Sequence, residues 1–409
     1  MSSMTERFDA IVIGAGPAGS TATRHLARVG ARVLLLDRAT FPRDKPCGGG
    51  ITFRADSEND VDFSPVTERE IFGVRMSTNM HAGFERTSTK LLARMTQRSR
   101  LDGYLVEQAT DAGAEFRDAC PVRAIEIDGA TARVRSNGDL YEAPVLIGTD
   151  GVNGPTAGAL GLRPPAEHSV ALEANYPADD TLLDRWRRFI ALDLGGIPGG
   201  YGWVFPKGDH LNVGIGGWNA EGPTLRRRLS QLCAYYGLEE SRLFGYRGYR
   251  LPLRRDGQPI VRGPAMLAGD AAALVDPLSG EGIWAAFVSG RLAAREAQRY
   301  LGGAASDLSG YQAALDTEMG EEILTSRRLM AVHQRIPRLS VMMMRYNRLF
   351  WRYMTEIIRG EITYPDLQRK LGPLRHALNA WADWEIRRGE RKRGIAAAAS
   401  SQLAVSTEQ

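Results

Sequence analysis

The chain has 409 residues, 43% of them hydrophobic, and a formal net charge of +4. On a prior of about 150 residues per domain, this allows two or three domains, or one large α/β body with an insertion, and enough apolar residues for a sizeable core. No run approaches the roughly 20 apolar residues of a spanning helix, no signal peptide precedes the first apolar segment, and the mild charge points to no nucleic-acid partner; a cytoplasmic protein is expected. Cys47, Cys120 and Cys233 have neither metal-ligand spacing nor the pattern of a disulfide framework.

The apolar run from Phe8 to Ile13 predicts a buried parallel strand. Gly14, Gly16 and Gly19 then open a helix running to about Val29, and a second strand, Arg32 to Leu36, ends on Asp37. In this setting Gly14 makes the tight turn, Gly16 admits a pyrophosphate close to the backbone, and Gly19 lets helix and strand pack tightly. The helix N-terminus offers unpaired N–H groups and partial positive charge to phosphate. Asp37 stands where an acid receives the adenosine ribose. The unit predicts a dinucleotide site, FAD or NAD(P).

Lys45-Pro46-Cys47-Gly48-Gly49-Gly50-Ile51 reads as a loop with exposed backbone, incompatible with helix or ordinary strand. Cys47 has no neighbouring His, so on its own it reads as a structural thiol. Lys90 to Gly113 has helical spacing with Gly113 as C-cap; Arg98 within it reads, alone, as a solvated charge. Pro121–Ile127, Ala130–Arg135 and Leu140–Ala143, separated by Asp128-Gly129 and Asn137-Gly138, predict a small antiparallel meander. The run from Val145 to Asp150-Gly151 predicts a return to the parallel sheet.

From about Glu167 to Tyr249 the chain turns β-rich and aromatic. Tyr201, Trp203 and Phe205 share one strand face, either a plain core face or the apolar wall of a ligand cavity. Lys207-Gly208-Asp209 makes a turn, Leu211 to Gly217 pairs back, and His210 is expected at the surface of that turn. The run from Ala265 to Gly269-Asp270 reads as another buried strand, and Gly280-Glu281-Gly282-Ile283 opens a helix to about Leu301, so two helix N-termini aim at one ligand. In Ser326–Gly360 eight arginines interleave with Met342, Met343, Met344, Leu349, Phe350 and Trp351. Two readings stay open there: a packed helix pair with solvated arginines, or a peripheral surface resting on anionic lipid headgroups.

Gly14-x-Gly16-x-x-Gly19, Asp150-Gly151 and Gly269-Asp270, in this order, resemble the fingerprints of the para-hydroxybenzoate hydroxylase-like FAD proteins. The Pro46-Cys47-Gly48-Gly49-Gly50 loop, Tyr201-x-Trp203-x-Phe205-Pro206 followed by Gly214-x-Gly216, and Gly360-Glu-Ile-Thr-Tyr364 resemble, within that class, the geranylgeranyl reductase family over about residues 8 to 365. The resemblance implies an α/β FAD-binding Rossmann-type domain at 1–166, containing the meander at about 120–143. A β-rich substrate-binding domain at 167–255 would follow, then a return segment at 256–305, a helical region at 306–390 and a disordered tail at 391–409. It further implies that Ala18, Asp37, Arg38, Arg98, Gly269 and Asp270 hold the adenosine, ribose and pyrophosphate parts of FAD. Val122 would meet the adenine, while Gly48, Gly49, Ile51, Gly280, Gly282 and Ile283 would meet the flavin. Tyr201, Trp203, Phe205, Pro206, Gly214 and Gly216 would shape an isoprenoid tunnel, with Cys47 as the catalytic candidate beside the flavin.

The implied activity is saturation of C=C bonds in a polyprenyl lipid or isoprenoid diphosphate, with NADPH or ferredoxin as donor. A flavin monooxygenase or halogenase acting on an aromatic or polyketide is the alternative, although the halogenase Trp-x-Trp-x-Ile-Pro motif is absent. A flavin-binding protein without turnover is a third reading. The chain departs from the family after Asp150-Gly151, where Val152-Asn153 replaces the usual Ser and Arg. The Arg54–Phe63 segment is also unusually acidic, with Asp56, Glu58, Asp60 and Asp62.

Overall fold

The computed structural model describes residues 5–163, 168–255 and 257–392. Of the expected tail at 391–409, positions 393–409 lie outside the described residues, as do the expected domain boundaries at 166–167 and 256.

Ala10–Ile13, Val33–Leu36 and Val145–Gly148 are buried at every position. They read as unbroken apolar runs because a central parallel strand is covered on both faces. Their six-stranded sheet has the order Val261–Arg262, Ala265–Leu267, Val145–Gly148, Ala10–Ile13, Val33–Leu36, Glu115–Arg117, and only the Val261–Arg262 edge is antiparallel. Helix Pro17–Arg28 packs on helix Ile283–Leu301 almost backbone to backbone, since a side chain at Gly290 would overlap the Ala18 carbonyl. The meander forms as expected, from Val122–Asp128, Thr131–Ser136 and Asp139–Ala143. Asn137 and Gly138 both have positive φ, which the two-residue hairpin turn requires.

The second large sheet has seven strands in the order Phe244–Pro252, His168–Pro177, His210–Trp218, Tyr201–Pro206, Phe189–Leu194, Gly73–Thr78, His81–Thr87. Its last hairpin comes from residues 73–87, inside the stretch expected to belong to the first domain. Alternation along its strands divides two environments. Gly202, Val204 and Ala191 face helix Leu225–Tyr235, whose Leu229, Leu232 and Cys233 share their core. Tyr201, Trp203, Phe205, Ile190, Leu192 and Leu194 face a cavity.

Three local expectations are corrected. Residues 90–97 are not helical: Ala93–Met95 is a strand held between Gly50–Thr52 and Arg69–Ile71, and the helix starts at Arg98. Pairing on both edges overrides the helical spacing. By the same pairing Gly50 opens a strand instead of ending a loop. His210 is buried at the start of a strand, its ring against Asp209 and Phe244, not at the surface of the turn.

The acidic segment is matched by arginines: Asp56 pairs with Arg94, Glu58 with Arg291, and Asp60 with Arg24 and Arg28. Arg24 is buried, so these pairs tie the 53–62 segment to helix Pro17–Arg28. The C-terminal helices Glu321–Arg335, Pro337–Tyr346, Arg348–Ile358, Tyr364–Arg369 and Leu374–Lys392 close the far side of the cavity. Their arginines are largely engaged: Arg328 with Asp383, Arg335 with Glu385, Arg352 with Glu356, and Arg359 with Glu361. No helix among the described residues is long and apolar enough to cross a membrane.

Candidate active site

The Gly14–Gly19 turn is built on contacts that only glycine permits. Gly14 has φ +103°, and a Cβ there would stand 2.5 Å from the Thr149 carbonyl oxygen; one on Gly19 would overlap the Gly14 carbonyl. Thr149 Oγ1 donates to the Ile13 and Gly14 carbonyls, locking this turn to the neighbouring strand end. Asp37 is buried and accepts from the N–H groups of Ala15 and Ala39, so it fixes the turn that it was expected to serve.

Above that turn, Gly16 is bordered by cations. A Cβ on Gly16 would lie 3.6 Å from Arg43 Nη2 and 3.8 Å from Arg98 Nη2. Arg98 is not the solvated charge expected of a helix arginine. It is buried and donates through Nε and Nη2 to Asp102, at 2.8 and 2.7 Å, because the helix turns this face toward the glycine loop. Arg43 Nη1 reaches the same Asp102 carboxylate at 2.8 Å.

The Lys45–Thr52 loop is clamped from both sides. A side chain on Gly48 would meet the Phe205 ring at 2.7 Å, and one on Gly49 would overlap the Thr96 carbonyl. Lys207 Nζ donates to the Gly48 and Thr96 carbonyls at 2.5 and 2.8 Å, and burial draws its pKa down to about 8. The Cys47 N–H donates to Glu173 Oε1 at 3.0 Å, and the Gly49 N–H reaches Cys47 Sγ at 3.4 Å. Lys45 Nζ pairs with Asp270 Oδ2 at 2.9 Å, and the Tyr249 hydroxyl donates to the same oxygen at 3.0 Å. Burial pushes Asp270 up, but Lys45 and these hydrogen bonds outweigh it and hold the carboxyl below its usual range.

Lys45, Cys47, Arg98, Glu173, Tyr249 and Asp270 line one cavity of about 920 Å³. On one wall stand Pro17, Cys47, Gly48, Gly49, Arg98, Asp270, Gly280, Gly282 and Ile283, so both helix N-termini do converge there. On the other stand Tyr201, Trp203, Phe205 and Gly216, with apolar side chains from the C-terminal helices. Several expected residues lie outside the lining. Ile51 is fully buried in the core beneath the loop, Pro206 is buried, Val122 is half-buried in the meander and Arg38 is exposed. Gly214 acts one layer down: a Cβ there would overlap the Trp203 indole, so its absence lets Trp203 lie flat against the sheet and bond Asn212 through Nε1 at 2.8 Å. Asp150 turns away to accept from the Thr156 N–H and hydroxyl. Arg43, Lys45, Glu173, Lys207, Tyr249 and Glu281 were not singled out from the sequence. The available signal was a charge set among glycines, as in Gly280-Glu281-Gly282.

Residues 7–188 match the FAD binding domain family. The geometry fits that cofactor, since the space over Gly16 joins a helix N-terminus to two guanidinium groups, the charge complement of a pyrophosphate. The fold and site therefore define an FAD-dependent oxidoreductase of the para-hydroxybenzoate hydroxylase-like class. The chain is 32% identical to a menaquinone reductase of Mycobacterium tuberculosis over 71% of its own length and 77% of that protein. It is also 32% identical to a geranylgeranyl diphosphate reductase of Rhodobacter capsulatus, over 77% and 81% of the two chains. Among solved structures, a geranylgeranyl bacteriochlorophyll reductase-like protein from Thermoplasma acidophilum superposes with a TM-score of 0.70 at 25% identity, over 79% of this chain and 86% of that one. A flavin-dependent brominase superposes with the same TM-score at 18% identity, over 94% and 100%, a likeness of fold alone. This chain belongs to the geranylgeranyl reductase family.

Proposed function

We propose that the protein saturates C=C bonds of a polyprenyl chain, held along the Tyr201, Trp203 and Phe205 face. The observation that carries this reading is the continuity of the cavity. The Cys47–Gly50 loop and the Gly280–Ile283 turn open into the same space as Leu192, Met343, Phe350 and Ile358, an apolar lining suited to an isoprenoid. The two relatives, a menaquinone reductase and a geranylgeranyl diphosphate reductase, point the same way. FAD, when bound and reduced, supplies the hydride from its N5. The chain's own part is orientation and the exclusion of water, because an isolated trisubstituted alkene is a poor hydride acceptor. In this reading the N–H groups of Gly282 and Ile283 stabilise negative charge on the flavin ring, and Cys47 stands beside that ring.

The test is anaerobic. The flavoprotein is reduced with dithionite, mixed with a geranylgeranyl lipid, and followed by flavin absorbance and product mass. Reoxidation with a product heavier by two hydrogens per bond is expected. A flavin that stays reduced until oxygen enters, followed by oxygen transfer to an aromatic, would sink the reading in favour of a monooxygenase.

The mouth of the cavity suits a membrane-borne chain. Leu339, Met342, Tyr346 and Leu349 are exposed on the Pro337–Ile358 helix pair, and Arg338, Arg345 and Arg348 stand among them. Leu339 and Leu349 also line the cavity, so the exposed apolar strip runs inward. The reading is that this elbow rests on anionic headgroups. Flotation with phosphatidylglycerol vesicles should retain the wild type and lose a Met342→Glu, Tyr346→Glu double variant. Equal flotation of the two would remove the elbow as the contact.

A further inference from the structure

We propose that Glu281 is the general acid of the reaction, giving its carboxyl proton to the alkene carbon that does not receive hydride. The inference rests on the polyprenyl-reductase reading above. Glu281 lies between Gly280 and Gly282 on the cavity wall, at the start of helix Ile283–Leu301, beside the Gly282 and Ile283 N–H groups assigned to the flavin in that reading. Its orientation is set by a hydrogen bond to the Thr52 hydroxyl. That hydroxyl accepts from the Ala55 N–H and, when the carboxyl is ionised, donates to Glu281 Oε1, at 2.6 Å.

The surroundings favour a protonated carboxyl near neutral pH. Burial drives its pKa up to about 7, with Asp276 adding to the rise, while the Thr52 hydrogen bond and Arg54 oppose it. Arg54 is committed elsewhere, paired with Glu322 at 2.6 Å and lying over the Trp284 ring. The remaining titratable groups coupled to Glu281 are Tyr201 and Tyr364, both pushed upward by burial and neutral throughout the working range. Three other polar side chains of the site are engaged. The Tyr201 hydroxyl donates to the Ser279 carbonyl, Glu173 accepts from Cys47, and Lys207 holds the Gly48 and Thr96 carbonyls.

The step balances. Hydride from reduced flavin forms the C–H bond at one alkene carbon; the π pair takes the proton from the Glu281 carboxyl at the other. The O–H bond breaks, Glu281 is left as carboxylate, and a proton from water restores it. The pH consequence follows from the sign: the competent form is protonated, so activity is retained below the carboxyl's pKa and lost as pH rises through it.

The experiment compares wild type, Glu281→Gln and Thr52→Val. Gln keeps the acceptor for Thr52 and cannot donate an acid proton. Single-turnover reoxidation of the dithionite-reduced protein by a geranylgeranyl lipid should fall about tenfold per pH unit above about 7 in the wild type. Glu281→Gln should be on the order of 10²–10⁴-fold slower and flat with pH. Thr52→Val should keep the wild-type limb but move it to higher pH, because a donor to the charged form is gone. A readout without turnover is the infrared carboxyl band of the oxidised protein, wild type against Glu281→Gln, which should titrate across the neutral range. A Glu281→Gln protein as fast as wild type, a band that titrates in the ordinary carboxylate range, or an unmoved limb in Thr52→Val overturns the assignment while leaving the reductase reading intact. If no polyprenyl lipid reoxidises the wild type, both fall together.

Discussion

Replacing Gly19 with alanine should strip the protein of FAD and leave it largely unfolded. A Cβ at position 19 would overlap the Gly14 carbonyl and stand 2.5 Å from Thr149 Oγ1, which already serves the Ile13 and Gly14 carbonyls. The nearer obstacle is backbone and the other is a hydroxyl held by two carbonyls, so relief requires helix Pro17–Arg28 to lift from the strand. The same helix is pressed against Ile283–Leu301 at Gly290, which prevents that shift from being local. Such overpacking against backbone belongs to the exceptional class of substitutions, about 4 kcal/mol or more. Gly30→Ala is the control. Its φ of +84° also suits glycine, but nothing lies within 4 Å of its Cβ position, so only about 1–2 kcal/mol of backbone strain is expected. Visible flavin absorbance of the purified proteins and thermal melts read both effects. A Gly19→Ala protein that keeps its flavin and its melting temperature would show that the turn does not depend on this close approach.

The second large effect is expected at Asp102. This carboxylate is fully buried, accepts two hydrogen bonds from Arg98 and forms an ion pair with Arg43. Burial opposes the charge on Arg98, and Asp102 is what overcomes that cost. Asp102→Ala leaves a buried guanidinium without its counter-charge, a lesion of about 3–5 kcal/mol. Both arginines border the space over Gly16, so phosphate groups bound there would replace part of the lost carboxylate. Asp102→Ala should therefore be destabilised more as apoprotein than with saturating FAD, and denaturant titrations of the two forms measure the difference. Equal losses in both forms would mean that these arginines do not face the cofactor; no loss in either would mean that the pair is not what holds them.

Much of the cofactor half of the fold was legible in the chain. Ala10–Ile13, Val33–Leu36 and Val145–Gly148 announce themselves because strands covered on both faces must be apolar throughout. The Asn137-Gly138 turn was legible for a similar local reason, since only residues tolerant of positive φ make it. The aromatic face was legible as a face, with a plain core and a cavity wall both open. Period-two alternation puts Tyr201, Trp203 and Phe205 on one side, whereas the partner across from them comes from residues 329–378. Local periodicity failed at 90–97, where pairing with two distant strands won over helical spacing.

What the sequence determined by itself, then, was the set of positions governed by backbone chemistry: buried parallel strands, glycines at forced approaches, and the order of the cofactor motifs. Those constraints restrict which residue type can stand at each position, so they leave a local trace. Only the tertiary structure decided the electrostatics of the site. Arg98 could be a solvated charge or a buried one, and it became buried because Asp102 and Arg43 meet it beside Gly16. The acidic run at 56–62 was uninterpretable until Arg24, Arg28, Arg94 and Arg291 were brought to it. The glycines around Glu281 mark the position but not its protonation; the Thr52 hydroxyl that bears on it comes from a segment far along the chain. Charge is a property of the surroundings, and the surroundings of a buried side chain are assembled only when the chain folds.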